Sequence, residues 1–142
     1  MKVVIGADHG GYDLKIYLVS KLEREGFQIE DLGCHSTDSV DYPDFAEQVC
    51  KRVLDGQETF GILICGTGIG MSLAANRNCK IRAALCHDVY SAQMSREHNN
   101  ANILCLGARV IGKGHAESIV ETWLNSSFLG GRHQLRIEKY SK

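Results

Sequence analysis

The stretch Gly61-Ile62-Leu63-Ile64-Cys65-Gly66-Thr67-Gly68-Ile69-Gly70-Met71 runs an apolar segment of strand length straight into a glycine-rich turn. Alternating glycines after a strand leave bare backbone N–H groups at the mouth of the next helix, where unpaired donors and the helix dipole favour negative charge. Cys65 stands at the junction. Two readings are open for it: a small buried residue that closes a core strand, or a nucleophile or base whose sulfur is charged beside the positive end of a helix.

The same strand-then-helix pattern recurs on both sides of this stretch. Apolar runs at Lys2–Ala7, Gln28–Leu32, Phe60–Cys65, Ile81–Leu85 and Ile103–Leu106 alternate with amphipathic segments at Tyr12–Glu25, Asp44–Asp55, Met71–Asn78, Val89–Glu97 and His115–Ser126. Strands rich in Val, Ile and Leu without a strict period of two belong to a parallel sheet covered on both faces. The alternation therefore predicts a three-layer α/β/α, Rossmann-like domain: a five-stranded parallel sheet and an extra C-terminal helix after Gly130-Gly131, in a single domain over residues 1–142. Leu14, Leu18 and Leu22 share one face of the first helix, Gly26 stops it, and Asp44 after Pro43 is the expected N-cap of the second. The order of the last strands is not legible.

Composition narrows the function classes. A formal net charge of -1 argues against nucleic acid or an anionic membrane as partner, and no apolar run approaches the length of a membrane span. The chain opens directly on a strand-like run, which leaves no room for a secretory signal and points to the cytoplasm. Six cysteines without a CxxC pair do not form a disulfide framework.

In a doubly wound sheet, ligands bind beyond the carboxyl ends of the strands. The residues expected there are Asp8-His9-Gly10-Gly11, Cys65-Gly66-Thr67-Gly68, Cys86-His87-Asp88 and Gly107-Ala108-Arg109: an acid, histidines, a thiol, an anion cradle and an arginine. Each has a bland reading as well. Asp8 could simply cap the next helix, His98 could complement the dipole at the end of the fourth, and Arg132 and Arg136, one turn apart, could be a solvated face. A dinucleotide fingerprint with Asp88 as the ribose acid is out of register at the third glycine, and a P-loop lysine is missing. There is no GxSxG elbow and no HExxH pair, so serine-hydrolase and metal chemistry are poorly supported.

Taken together and in order, Asp8-His9, Asp41-Tyr42-Pro43, Cys65-Gly66-Thr67-Gly68-Ile69-Gly70, Ala74-Ala75-Asn76, Tyr90-Ser91-Ala92, His98-Asn99, Gly107-Ala108-Arg109 and Gly130-Gly131-Arg132-His133 resemble the type B ribose-5-phosphate isomerases over nearly the whole chain. The wider ribose/galactose isomerase family includes allose-6-phosphate and galactose-6-phosphate isomerases. The resemblance implies a pentose-phosphate aldose–ketose isomerisation through a cis-enediolate, with no metal and no cofactor. It makes Cys65 the base, Thr67 an assistant in proton transfer among the oxygens, and His98 the ring-opening acid/base. Substrate would be held by Asp8, His9, Tyr42, Asn99, Arg109, Arg132 and Arg136 and by the amides of Gly66, Gly68, Ile69 and Gly70. Some relatives carry a glutamate base where Met71 stands, so the cysteine mechanism is the consistent one here. The resemblance also implies a homodimer, or a tetramer built from it, with the His98-Asn99 segment reaching into the neighbour's site. The Cys34–Val40 loop departs most from the relatives, which leaves a 6-phosphohexose open as the main substrate. A non-catalytic nucleotide or sugar-phosphate binding module is the remaining alternative.

Overall fold

The computed structural model describes residues 1–141. Its elements are β1 (Lys2–Ala7), α1 (Tyr12–Arg24), β2 (Gln28–Asp31), α2 (Tyr42–Asp55), β3 (Thr59–Cys65), α3 (Ile69–Ala75), β4 (Ala83–Leu85), α4 (Val89–Glu97), β5 (Ile103–Gly107), α5 (Lys113–Asn125) and α6 (Arg132–Ile137). The five strands form one parallel sheet in the order β2-β1-β3-β5-β4. The expected three-layer arrangement is thus present, and the last strands are now ordered: β4 lies at the edge, outside β5.

Each central strand feeds two cores, because successive side chains leave opposite faces of the sheet. Val3, Ile5, Ile62, Ile64, Leu104 and Leu106 point to one face, where they pack against Leu14, Leu18 and Leu22 of α1, Ala92 of α4, and Ile119 and Trp123 of α5. Val4, Leu63, Cys65, Ile103 and Cys105 point to the other, against Val49 and Val53 of α2 and Met71 and Ala75 of α3. Both alternating sets are apolar, which explains why the strands showed no period of two. Met71 is wholly buried.

Element boundaries shift locally from expectation. Helix α2 starts at Tyr42, with Asp41 rather than Asp44 at the N-cap and Pro43 inside the first turn. A proline's missing N–H and fixed φ fit that turn, so it opens the helix instead of preceding it. Helix α3 begins earlier, at Ile69, and ends at Ala75. β4 is shorter than expected, starting at Ala83, which Asn76 holds by both backbone groups, while Asn102 takes the amide of Arg82 just before it. Gly26, at φ +88°, follows the end of α1 as anticipated.

Two charged features sit in unusual surroundings. Lys15 is completely buried and places Nζ 2.5 Å from Oδ2 of Asp31 at the end of β2. The other oxygen of Asp31 accepts the amide of Gly33, which pins the start of the β2–α2 loop. At the opposite end of the molecule α6 docks on α4 through stacked imidazoles of His98 and His133, 4.1 Å between centroids and 8° between planes. Burial, then the charges of His98, Arg132 and Arg136, hold the His133 imidazole below its ordinary value.

Both features set expected outcomes. Asp31→Asn strands a buried ammonium and should cost about 3 kcal/mol in urea unfolding, whereas Lys15→Met combined with Asp31→Leu should recover most of the loss. For His133, the unfolded chain binds the proton more readily than the folded one. Its contribution to stability is therefore present above the unfolded value, about 6.5, and is lost as pH falls through it. The urea midpoint should drop between pH 7 and pH 5, and His133→Asn should flatten that slope; an unchanged slope would assign it to other groups.

Candidate active site

The sheet's carboxyl edge gathers the residues that follow β1, β3 and β5. The amide of Asp8 donates to Ile64 O, the amide of Ala108 to Cys65 O and the amide of Arg109 to Gly66 O at 3.0 Å, so three loops are stitched together around Cys65. Cys65 is 5% exposed. The amide of Gly68 donates to its Sγ at 3.1 Å. That bond requires the turn to double back on the strand end, and Gly68 does so at φ +76°, in the left-handed region where glycine carries no steric penalty. A Cβ at Gly68 would also fall 2.9 Å from the backbone of Leu106. The amide of Ile69 donates to Thr67 Oγ1 at 3.2 Å, which leaves the threonine hydroxyl at the rim of the same turn.

A backbone N–H aimed at sulfur stabilises negative charge there. In the other buried thiols burial outweighs any such bond. Burial raises those of Cys34, Cys86 and Cys105 and pushes Cys50 up to about 11. Cys65 is the strand-end cysteine at the glycine turn, with the Gly68 amide on its sulfur.

Three further side chains converge on the turn. Asp8 accepts the amides of Gly10 and Gly11 on Oδ1 at 2.9 and 3.2 Å, which closes the turn before α1; the helix itself starts from Gly11 with no side-chain cap, so Asp8 is not its cap. Arg109 lies across Gly66, where a Cβ would fall 3.3 Å from Nη1, and the Tyr42 ring covers Gly70, where a Cβ would fall 2.7 Å from Cζ. These glycines are bare because neighbours occupy the space of a side chain. His9 accepts the amide of Val40 on Nδ1 at 3.2 Å. An imidazole that accepts at Nδ1 carries its proton on Nε2, so His9 is held as a neutral Nε2 donor. No local signal in the sequence announces that Val40 tether, since the partners lie 31 residues apart.

His87 also belongs to this edge. Its Nε2 is buried without a hydrogen-bond partner among the described residues and lies 2.9 Å from where a Cβ of Gly107 would stand, while its carbonyl meets Nε2 of His115 at 2.8 Å. Asp88, weighed as a ribose-binding acid, instead caps α4: Oδ1 accepts the Ser91 amide at 2.7 Å, and these hydrogen bonds hold its carboxyl below the ordinary range.

The remaining expected site residues are elsewhere. His98 ends α4 and Asn99 begins the turn into β5, so both lie at the amino edge of the sheet, with His133 stacked beside them. Arg132 and Arg136 are on α6, docked at the same place. Within one chain the expected constellation is therefore divided: Asp8, His9, Tyr42, Cys65, Gly66, Thr67, Gly68, Ile69, Gly70 and Arg109 at one edge, His98, Asn99, Arg132 and Arg136 at the other. A helix that follows a parallel strand runs back along the sheet, so its C-terminus must lie at the opposite edge.

Comparison with known proteins agrees with this architecture. The E. coli (strain K12) ribose-5-phosphate isomerase B is 47% identical over 137 residues, 96% of this chain and 92% of that protein. The D-erythrulose-4-phosphate isomerase of Pectobacterium atrosepticum is 43% identical over 98% of this chain and 92% of its own length. The solved structure of ribose-5-phosphate isomerase B from Clostridium thermocellum superposes with a TM-score of 0.97 at 52% identity, covering 99% of this chain and 95% of that one. With residues 3–140 matching the family model for Ribose/Galactose Isomerase, and a fold that agrees throughout, the chain belongs to the ribose/galactose isomerase family.

Proposed function

We propose that this protein interconverts D-ribose 5-phosphate and D-ribulose 5-phosphate, with Cys65 as the base and His98 opening the sugar ring. The observation that carries the reading is the Gly68 amide on Cys65 Sγ inside the glycine turn at the sheet's carboxyl edge. Proton abstraction from C2 of the open aldose puts negative charge on the C1 oxygen, and preorganised backbone donors are suited to that charge, each worth about 3 kcal/mol in the transition state. Cys65 takes the C2 proton as a thiolate and returns it to C1 as a thiol. Thr67 moves the proton between O2 and O1, and the amides from Gly66 to Gly70 hold the enediolate.

Asp8 has Oδ1 committed to its own turn, and Oδ2 accepts a sugar hydroxyl. His9 donates from Nε2, Tyr42 and Arg109 flank the sugar, and Arg132 and Arg136 take the phosphate through charge-assisted bonds. His98 moves a proton between the anomeric hydroxyl and the ring oxygen, and Asn99 donates to the enediolate.

This assignment draws on both edges of the sheet, so it needs a second copy: the His98, Asn99, Arg132 and Arg136 of one subunit complete the Cys65 site of the other in a homodimer. The surface beside the cradle supports such a contact. Ile69, Leu73, Leu85, Val89 and Tyr90, on α3, β4 and the start of α4, are apolar and exposed, Tyr90 to 72%. Contiguous apolar surface at the rim of a site marks an interaction face.

A second reading concerns the sugar alone. One relative is named for a tetrose phosphate, and the β2–α2 loop that reaches His9 through Val40 borders the sugar site. Ratios of kcat/KM on D-ribose 5-phosphate, D-allose 6-phosphate and D-erythrulose 4-phosphate decide it. Ribose 5-phosphate should lead; a lead for another sugar would replace the assignment.

Cys65→Ala should lower kcat on ribose 5-phosphate by about 10²- to 10⁴-fold while binding of the sugar phosphate, followed by calorimetry, is retained. Full turnover in that variant would remove Cys65 as the base. His98→Asn should slow conversion of the furanose more than that of the open-chain sugar, and equal slowing would assign His98 to another step.

A further inference from the structure

Arg96 is 8% exposed and has no carboxylate partner among the described residues. Its guanidinium carbon stands 4.5 Å from the ring centroid of Phe60 and 5.5 Å from that of Trp123. These rings meet edge to face at 5.6 Å, and Trp123 is itself oriented by a hydrogen bond from Nε1 to Ser95 Oγ at 3.1 Å. Burying a cation with no anion is costly, and π faces offset only part of the cost. The rest comes from one place. Nη1 donates to the carbonyl of Ala101 at 2.5 Å and to Oδ1 of Asn100 at 3.2 Å. Both acceptors belong to the turn that follows α4 and carries His98 and Asn99.

Within that turn the amide of Asn100 donates to Arg96 O at 3.1 Å. Asn100 adopts φ +47°, in the left-handed region that few non-glycine residues visit. Its carbonyl accepts Nε of Arg82 at 2.8 Å, and the amide of Ala101 donates to Ser95 O at 2.9 Å. Downstream, the carbonyl of Asn102 accepts the Gly61 amide at 2.9 Å, which ties the turn to the start of β3. Arg96 grips two consecutive residues of the turn from the buried side through Nη1, which its planar guanidinium, seated against Phe60 and Trp123, holds in place.

We propose that Arg96 is a positioning residue for the isomerisation: it clamps the turn after α4 so that His98 and Asn99 project from the sheet edge in a single arrangement. The proposal rests on the assignment of His98 and Asn99 to the reaction given above. Arg96 touches neither substrate nor reacting atoms. It sets the geometry of groups that do, and a small misplacement of such groups is expensive in rate.

Activity and magnetic resonance together test it. Arg96→Lys keeps the charge but is shorter and lacks the planar group seated on Phe60, so its ammonium does not stand where Nη1 does. It should lower kcat on ribose 5-phosphate about tenfold or more with KM changed less than about threefold, in line with the loss of charge-assisted hydrogen bonds. The same change in a His98→Asn background should cost much less, since residues acting through one another are not additive. An equal loss in both backgrounds, or no loss, overturns the proposal. Asn100→Gly keeps the positive φ and deletes one acceptor. It should show a smaller effect with the same non-additivity, and it carries the cycle if Arg96→Lys does not fold. The His98 imidazole signals give a readout independent of turnover: the ring-current shift from His133 should diminish in Arg96→Lys or Asn100→Gly, and unchanged signals overturn the clamp. Absence of turnover in the unmodified protein would instead remove the activity assignment, and the imidazole signals would still decide the role of Arg96.

Discussion

Direction along the sheet is the constraint from which the rest of this structure follows. Five strands run parallel, so every connecting helix returns the chain from the carboxyl edge to the amino edge. Residues just after strands collect at one edge, and residues at helix ends collect at the other. Cys65, Asp8, His9 and Arg109 are in the first class; His98 and Asn99 are in the second, and α6 brings Arg132 and Arg136 to join them. A chemistry that draws on both sets is divided by the fold itself, and this gives a proposed second copy a mechanistic purpose.

At the carboxyl edge, one backbone bond organises the chemistry. The Gly68 amide reaches Cys65 Sγ only because Gly68 doubles back at φ +76° against the backbone of Leu106. The next amide along the same turn, that of Ile69, is taken by Thr67 Oγ1. The loops after β1 and β5 close around it through backbone hydrogen bonds. The geometry around Cys65 is therefore built mainly from main chain, supported by the two apolar cores on either side of the sheet. The amino edge is built differently. There the Glu97–Asn102 turn combines backbone bonds, Asn100 N–H to Arg96 O and Ala101 N–H to Ser95 O, with the grip of two arginine side chains, Arg96 on Ala101 O and Arg82 on Asn100 O.

Much of this was legible in the residues. Alternating apolar runs and amphipathic segments marked all five strands and five of the six helices, because burial on both faces of a parallel sheet leaves a strong local signal. Gly130-Gly131 marked the sixth. The boundaries of α2 and β4 were less legible: Pro43 suits the inside of a first turn as well as the position before it, and Asn76 and Asn102 claim β4's backbone from elsewhere in the chain. Asp8 was readable as a cap and as a ligand; it caps no helix, since α1 starts from Gly11 without a side-chain bond, and its Oδ1 closes the Gly10-Gly11 turn instead. Asp88 was readable as a ribose acid and proves to be the N-cap of α4.

By itself the sequence determined the fold class, the position of Cys65 at a strand end and the glycine turn that follows it, since these depend on short-range periodicity and on the absence of side chains at fixed spacing. Only the tertiary structure decided that β5 lies between β3 and β4, that Val40 fixes the tautomer of His9, that Lys15 is buried against Asp31, and that Arg96 rests on Phe60 and Trp123 beneath the His98 turn. Each of these contacts joins residues far apart in the chain. A lysine, an arginine or a histidine in sequence is compatible with solvent or interior, and only packing supplies the partner that makes one of the two favourable.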